Sequence, residues 1–490
     1  MSHRAPPVLL AAALLGACAP ARDVEPWTPP PAPPVTVEVA AVSTRSGPLR
    51  LEEVLASADL HHPIVLAALA DQEGAAGRLL AAEGAFDLGL RGAAQWDGRG
   101  FYDYHWASAV AEQRTTLWGA SVFGGYQIGR GRFYPSDTKR ATGAAGELVG
   151  GVRLPLLQGG AIDPFRAGIA QAEHDLDAVG AGAQAQRLEV SRRAAHAYWS
   201  CVAATRRLDV ARALLRVAEA RAEAVSEAVE RGDVAAIERD ENERQVAVRR
   251  AFVALAVRGV EQAALVLSLF VRDARGRPVR LDPAWLPADL PEPEAAPGDD
   301  ELPLAIDRAL ARRPEPARLD ALARRAEVER DLASNQGLPA LDLTARVEQG
   351  LGDDTPFGER RLEVTGGLEF WFPVQRRAAR GREAAARAQR DALERQAQLA
   401  REQIAVEVRD AASAMHAARA RHTEARRAEA LARRLEQAER DAFALGQSTL
   451  LLVNVREQAT AESQVLVVDA AADYQRALAD WRAALGQVEP

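Results

Sequence analysis

Cysteine is almost missing from this 490-residue chain. Its two copies, Cys18 and Cys201, exclude by arithmetic a disulfide framework or a cysteine-rich metal site. Histidine is scarce as well, with eight residues scattered apart from the pair His61-His62, and no HExxH, nucleophile-elbow or P-loop spacing occurs. An enzyme is therefore not expected, nor a metal or a dissociable cofactor. Lysine occurs once, at Lys139, while Arg and Ala dominate. A dominant sign of charge is absent too: 61 basic and 69 acidic side chains are well mixed and leave a net −8. Without a basic field, nucleic acid is excluded as a partner. Aromatic residues make up only 5% of the chain, so any place where they crowd is informative.

What is present begins with an address. Residues 1 to 17 have a weakly basic start at Arg4, an apolar run from Val8 to Leu15 and then small residues, the build of a secretory signal. The run is too short to span a bilayer, which takes about 20 apolar residues. Leu15-Gly16-Ala17-Cys18 resembles the bacterial lipoprotein cleavage box, in which the cysteine becomes the acylated first residue. That resemblance implies covalent N-acyl and S-diacylglycerol lipid on Cys18, palmitate included. Ala19, and not Asp, follows the cysteine, which implies the outer membrane. Seven prolines between Pro20 and Pro34 favour extended polyproline conformers, so residues 18–49 read as a tether.

The remainder carries one plan twice: a helix, a strand pair, a very long helix, a glycine and a shorter helix. His62-Pro63 matches Arg313-Pro314, Pro155 matches Pro373 at a strand exit, and Gly232 matches Gly446. The offsets are 314 − 63 = 251, 373 − 155 = 218 and 446 − 232 = 214. The first copy thus holds 251 − 218 = 33 extra residues between its first two markers. They fall near 98 to 145, as a longer outer loop or as lengthened strands around Leu117 to Ile128.

Strict alternation marks the strands. Phe86, Leu88, Leu90 and Trp96 alternate with Asp87, Arg91, Gln95 and Asp97; Leu148, Val152 and Leu154 alternate with Glu147 and Arg153. Leu341, Leu343, Ala345 and Val347 alternate with Asp342, Thr344, Arg346 and Glu348, and Leu362, Val364, Leu368 and Phe370 with Arg361, Glu363, Thr365 and Glu369. Lipid rejects charge while a water-filled lumen accepts it, so this is the pattern of a membrane barrel, although a half-buried soluble sheet is equally periodic. Aromatic residues from Trp96 to Tyr134, with Phe370-Trp371-Phe372, favour the barrel, because such rings settle at bilayer interfaces. Four strands per chain cannot close a barrel, and an open edge in lipid leaves backbone groups without partners. Two or more copies must share it.

From about Phe165 to Arg231 and Arg377 to Leu445 the chain is rich in Ala, Glu, Gln and Arg without internal proline, predicting two helices on the order of 100 Å long. In the second, Leu393, Ala397, Ala400, Ile404, Val408, Ala411, Met415 and Ala418 step by three or four as a packed seam. Each helix ends at a glycine, Gly232-Asp233 or Gly446-Gln447-Ser448, where Asp or Ser can cap the helix that follows.

In this order, behind a lipoprotein signal, residues 50 to 488 resemble the TolC-like outer-membrane efflux protein family. The most specific stretches are Leu154-Pro155-Leu156-Leu157-Gln158-Gly159-Gly160, Phe443-Ala444-Leu445-Gly446-Gln447-Ser448-Thr449-Leu450, and Arg231-Gly232-Asp233-Val234. The resemblance implies an α+β membrane protein with an internal two-fold repeat, organised as repeats at 50–270 and 301–488 joined by a proline-rich linker at 271–300. It implies a homotrimer whose transmembrane barrel, four strands per chain, continues into a coiled-coil periplasmic tunnel. Partners would be membrane lipid, a periplasmic adaptor at the tips Gly232, Asp233, Gly446, Gln447 and Ser448, and an inner-membrane transporter of an efflux or type I secretion system. Some members place acidic pore-constricting residues beyond the second tip glycine, where this chain has Leu452 and Val455. Glu238 is the comparable acidic residue of the first copy and Asn454 the nearest polar group of the second, so the expected gate is partly apolar and closes by dewetting. A structural coiled-coil lipoprotein without channel activity is the competing reading; it leaves the alternating strands unexplained.

Overall fold

The structure, a computed structural model, describes residues 47–98, 100–134, 141–273, 275–279, 281–351 and 362–487. The signal at 1–17, the lipidation residue Cys18, the tether prolines Pro20 to Pro34, Lys139 and Arg361 lie outside the described residues.

Two short helices open the described chain, α1 (Leu51–His61) and α2 (Pro63–Glu83), followed by strands β1 (Gly89–Asp97), β2 (Tyr104–Arg114), β3 (Ser121–Gly131) and β4 (Glu147–Pro155). The long α3 (Pro164–Glu230) and then α4 (Ala236–Leu267) complete the first half. In the second half come α5 (Leu302–Arg312), α6 (Pro314–Asn335), β5 (Ala340–Gly350), β6 (Leu362–Trp371), α7 (Arg377–Ala444) and α8 (Leu450–Ala484). Matching elements have matching lengths: 11 and 11 residues for α1 and α5, 21 and 22 for α2 and α6, 67 and 68 for α3 and α7.

Local chemistry places these boundaries. Pro63 and Pro314 force the preceding residue out of helical geometry, and His62 and Arg313 are extended there, at ψ 128° and 132°. Pro164 begins α3, where its missing N–H costs nothing, and the Asp163 carboxylate accepts from the Phe165 and Arg166 amides at 2.8 and 3.1 Å. Seven of the eight seam residues of α7 are buried, Leu393 through Ala418, with Ala400 half-buried.

The chain divides into two compact units, and the division does not follow the two repeats of the sequence. One unit combines Gln72–Val179 with Leu319–Arg395; the other combines the segment ending at Asp71 with Gly180–Arg318 and the residues from Gln396 onward. Each unit draws on both halves: β4 pairs with β5 in the first, and α3 bonds to α8 in the second. The second holds the main apolar core, in which Val54, Ala58, Val65, Ala194, Val202 and Leu267 are fully buried. Cys201 lies in the same core, and burial pushes its thiol up to about 11. The segment at 271–300 is irregular yet packed: Val271, Val279, Leu281 and Leu286 enter the core, and the Leu49 amide donates to the Trp285 carbonyl at 2.6 Å.

In the first unit the six strands form one antiparallel sheet in the order β1-β2-β3-β4-β5-β6. The expectation of four strands per chain is corrected here, because the extra residues of the first copy build the additional hairpin β2–β3. Its alternation is diluted by alanine and glycine, Ala107, Ala109, Ala111, Gly124 and Gly125 among them, which leaves little hydropathy contrast to read. No helix among the described residues is long and apolar enough to cross a membrane.

Candidate functional site

Register assigns every strand residue to one of two faces, since directly paired residues share a face. One face carries Leu90 and Trp96 on β1, Ala107, Ala109 and Ala111 on β2, Val122, Tyr126 and Ile128 on β3, Leu148, Val152 and Leu154 on β4, Leu343 and Val347 on β5, and Val364, Leu368 and Phe370 on β6. This apolar face is bare: Leu90 is 82% exposed, Trp96 76% and Leu368 68%. Its charged side chain is Arg130, paired with His105 at one end of the sheet.

The opposite face is wet. Across it Arg153 donates to Asp342 at 2.6 Å, Gln127 to Glu147 at 2.9 Å and Gln95 to Tyr104 at 2.6 Å, and Arg346 meets Glu348 at 2.5 Å. A soluble sheet would bury an apolar face under a protein layer. Here its large side chains have no such cover among the described residues. β1 and β6 are the sheet's two edges, exposed along nearly their whole length.

Aromatic residues occupy both ends of this sheet. At the β1–β2 turn, Tyr102 lies 4.0 Å from Tyr134 and Tyr104 stacks on Phe133 at 4.7 Å between ring centroids. At the other end, where the strands join the helices, lie Trp118, Trp371 and Phe372, with the Arg376 guanidinium 5.9 Å from the Phe372 ring. Strands of 9 to 11 residues suit a hydrocarbon layer crossed at a tilt. Pro155 ends β4 opposite Asp342, and Pro373 follows β6 by two residues, so both stand at strand exits as their sequence positions suggest.

In the second unit the two helical hairpins turn identically. The Gly232 amide donates to Val229 and Asp233 to Ala228; Gly446 donates to Phe443 and Gln447 to Ala442. Both glycines are left-handed, at φ 79° and 72°, the paired-bond helix ending that glycine permits. Gly232, Asp233, Gly446 and Gln447 are exposed and Ser448 is half-buried. Capping departs from expectation. Thr449, one residue beyond Ser448, accepts from the Leu452 amide at 3.4 Å, and Ala235 opens α4 with no side-chain cap. Asp233 instead pairs with Arg231 at 3.0 Å, and the Ser448 hydroxyl donates to Glu439.

A buried knot of charge ties four helices together near these tips. Glu457 of α8 accepts from Arg221 of α3, from Arg249 of α4 at 3.1 Å and from Arg440 of α7 at 3.0 Å. Burial by itself would raise the Glu457 carboxyl, but hydrogen bonds from Arg221 and Arg440 and the charge of Arg249 hold it below the usual range. Arg249 also donates to the Leu214 carbonyl at 3.1 Å, while its Nε has no partner among the described residues. Sequence reasoning did not find this cluster. Its available signal was a carboxylate inside the apolar seam Leu450, Val453, Glu457, Ala461.

The residues expected at a pore constriction separate. Leu452 and Val455 are on the exposed side of α8, and Glu238 is half-buried in the first turn of α4. Asn454 is corrected: it is buried, and its side-chain oxygen accepts from Arg221 at 2.5 Å, so it faces the helix interior rather than a lumen.

No protein-family model matches the chain, and no curated protein matches it in sequence. Solved structures match its fold. The CmeC outer membrane channel of Campylobacter jejuni superimposes with a TM-score of 0.63 at 15% identity, covering 91% of this chain and 90% of its own. The outer membrane protein VceC of Vibrio cholerae gives 0.63 at 18% identity over 89% and 96%. The open state of the MtrE outer membrane channel of Neisseria gonorrhoeae gives 0.64 at 16% identity over 89% of both chains. The chain has the fold of these proteins, as its resemblance to TolC-like proteins implies.

Proposed function

We propose that this protein is the outer-membrane channel of a tripartite efflux pump or type I secretion system, built from copies of itself and passing substrate from an inner-membrane transporter to the outside. The observation that carries the reading is the two-faced sheet with its two bare edges. A lipid-facing surface of Leu, Val and Ala cannot coexist with unpaired edge backbone in hydrocarbon. β1 of one copy pairing with β6 of the next removes both edges at once. That pairing is antiparallel, because β1 and β6 run in opposite directions in an up-and-down sheet of six strands.

Fold likeness to outer membrane channels supports the same reading, as do the nearly equal lengths of matching elements, which fit an internal duplication. By the same resemblance the assembly is a homotrimer, Cys18 carries the lipid that anchors it in the outer membrane, and the tips at Gly232 and Gly446 meet a periplasmic adaptor. Exposed Val234, Ile237, Leu445, Leu451 and Leu452 give those tips an apolar surface for a partner chain. Leu452 and Val455 form the apolar part of the constriction.

Purified protein reconstituted in planar lipid bilayers tests this directly. Discrete ohmic channels are expected; well-folded protein that conducts nothing contradicts the proposal and favours a coiled-coil scaffold.

A further inference from the structure

We propose that the β2–β3 hairpin is part of the membrane wall, so that each chain contributes six strands and a trimer closes a barrel of 3 × 6 = 18 strands. This rests on the channel reading above and goes beyond the four strands per chain that the family resemblance implies.

Three observations carry it. First, both faces continue through the hairpin without a break. On β2 and β3 the side that adjoins Leu90, Ala94 and Leu148 is Ala107, Ala109, Ala111, Val122, Tyr126 and Ile128, with the polar His105, Gln113 and Arg130 only at the strand ends, while the side that adjoins Arg91 and Glu147 carries Ser108, Glu112 and Gln127 beside Trp106, Val110 and Phe123. A loop standing in water beyond the bilayer has no reason to keep an unbroken apolar surface in register with its neighbours.

Second, the hairpin spans the full height of the sheet. β2 and β3 have 11 residues each against 9 in β1 and β4, and β2 pairs along the whole length of β1.

Third, the turn between β2 and β3 is fastened at the helix end of the sheet, not the outer end. The Thr115 amide donates to the Ala120 carbonyl at 2.8 Å, and the Arg114 guanidinium lies 4.1 Å from the Phe165 ring at the start of α3. Gly119 is left-handed at φ 66°, and a Cβ on it would lie 2.5 Å from the Gly159 carbonyl. A Cβ on Gly160 would lie 2.5 Å from the Trp118 indole nitrogen. A seat that close fixes the turn against the strand-to-helix connection.

Barrel diameter grows roughly in proportion to strand number, so 18 strands give a mouth about half again as wide as twelve, in the range that leaves an open aqueous channel. The outer exit then passes bulky hydrated cargo, and any sorting by size falls to the helical part.

Single cysteines introduced into the full protein carrying Cys18→Ser, reconstituted in liposomes, test the placement; Cys201 contributes no background because it is 1% exposed. Ser108→Cys is expected to react with a membrane-impermeant maleimide, while Ala109→Cys loses that reaction and is modified by a lipid-confined reagent. Thr365→Cys and Leu368→Cys on β6 serve as the reference pair. If the β6 pair shows this split and both β2 positions react with the impermeant reagent, the hairpin lies outside the bilayer and the proposal is overturned while the channel reading stands. If the β6 pair also reacts at both positions, the channel reading fails and the proposal with it.

Discussion

Arg249 and Glu457 lie 3.1 Å apart on different helical hairpins, with side chains 2% and 1% exposed. A buried pair of this kind contributes little net stability when complete, because desolvation offsets attraction, yet removing one partner strands the other. Here Glu457 pairs with three guanidinium groups, of which Arg440 also meets Glu436 at 2.7 Å. Glu457→Ala is expected to destabilise the helical unit by about 3 to 5 kcal/mol. Chemical denaturation followed by far-ultraviolet circular dichroism measures it, and Glu457→Gln, which keeps the acceptor oxygen, should lose less.

The same carboxylate gives a pH dependence. Its folded-state pKa lies below the ordinary glutamate value of 4.5, so its contribution is fully present above pH 4.5 and is lost as pH falls through the folded value. Thermal melts of the wild type should therefore weaken more steeply below about pH 4.5 than melts of Glu457→Gln, which has no carboxyl to titrate.

Gly232 and Gly446 offer a backbone test free of packing effects, since a Cβ at either position meets nothing within 4 Å. Alanine at either site must adopt the left-handed region and should cost about 1 to 2 kcal/mol. Asparagine should cost less. Differential scanning calorimetry of the single variants resolves the difference.

How much of this was legible in the sequence follows from how strongly each feature contrasts with its neighbours. The long helices were visible to within a residue because proline is absent between Pro164 and Gly232 and the seam from Leu393 to Ala418 is regular. β5 and β6 were visible because Leu343 against Asp342 and Leu368 against Glu369 are large contrasts. β2 and β3 were not, because Ala107, Ala109 and Gly124 differ little in hydropathy from Ser108 and Gly125. The tip glycines were legible from backbone chemistry. The knot at Glu457 was not, since Arg249 and Arg221 lie 208 and 236 residues from Glu457 in the chain and only packing brings them together.

The two faces of the sheet respond differently to charge. Leu368→Arg places a cation on the lipid side and should cost roughly 2 to 4 kcal/mol near the bilayer midplane, whereas Thr365→Arg on the wet side should be tolerated. The yield of folded protein in liposomes, compared between the two variants, measures this.

Lipidation is separable from assembly. Cys18→Ser should abolish acylation, detected as loss of fatty-acid incorporation, while unheated samples on a gel keep the oligomer band of the wild type. Loss of that band on removing the lipid alone would mean that the anchor, and not strand pairing, holds the copies together.

The most direct measurement is the native mass of the protein released from detergent micelles. A shared wall, lipid on one side and water on the other, predicts a complex of more than one chain, three by the family resemblance, that precipitates when detergent is withdrawn. A monodisperse single chain that stays dissolved without detergent would contradict it.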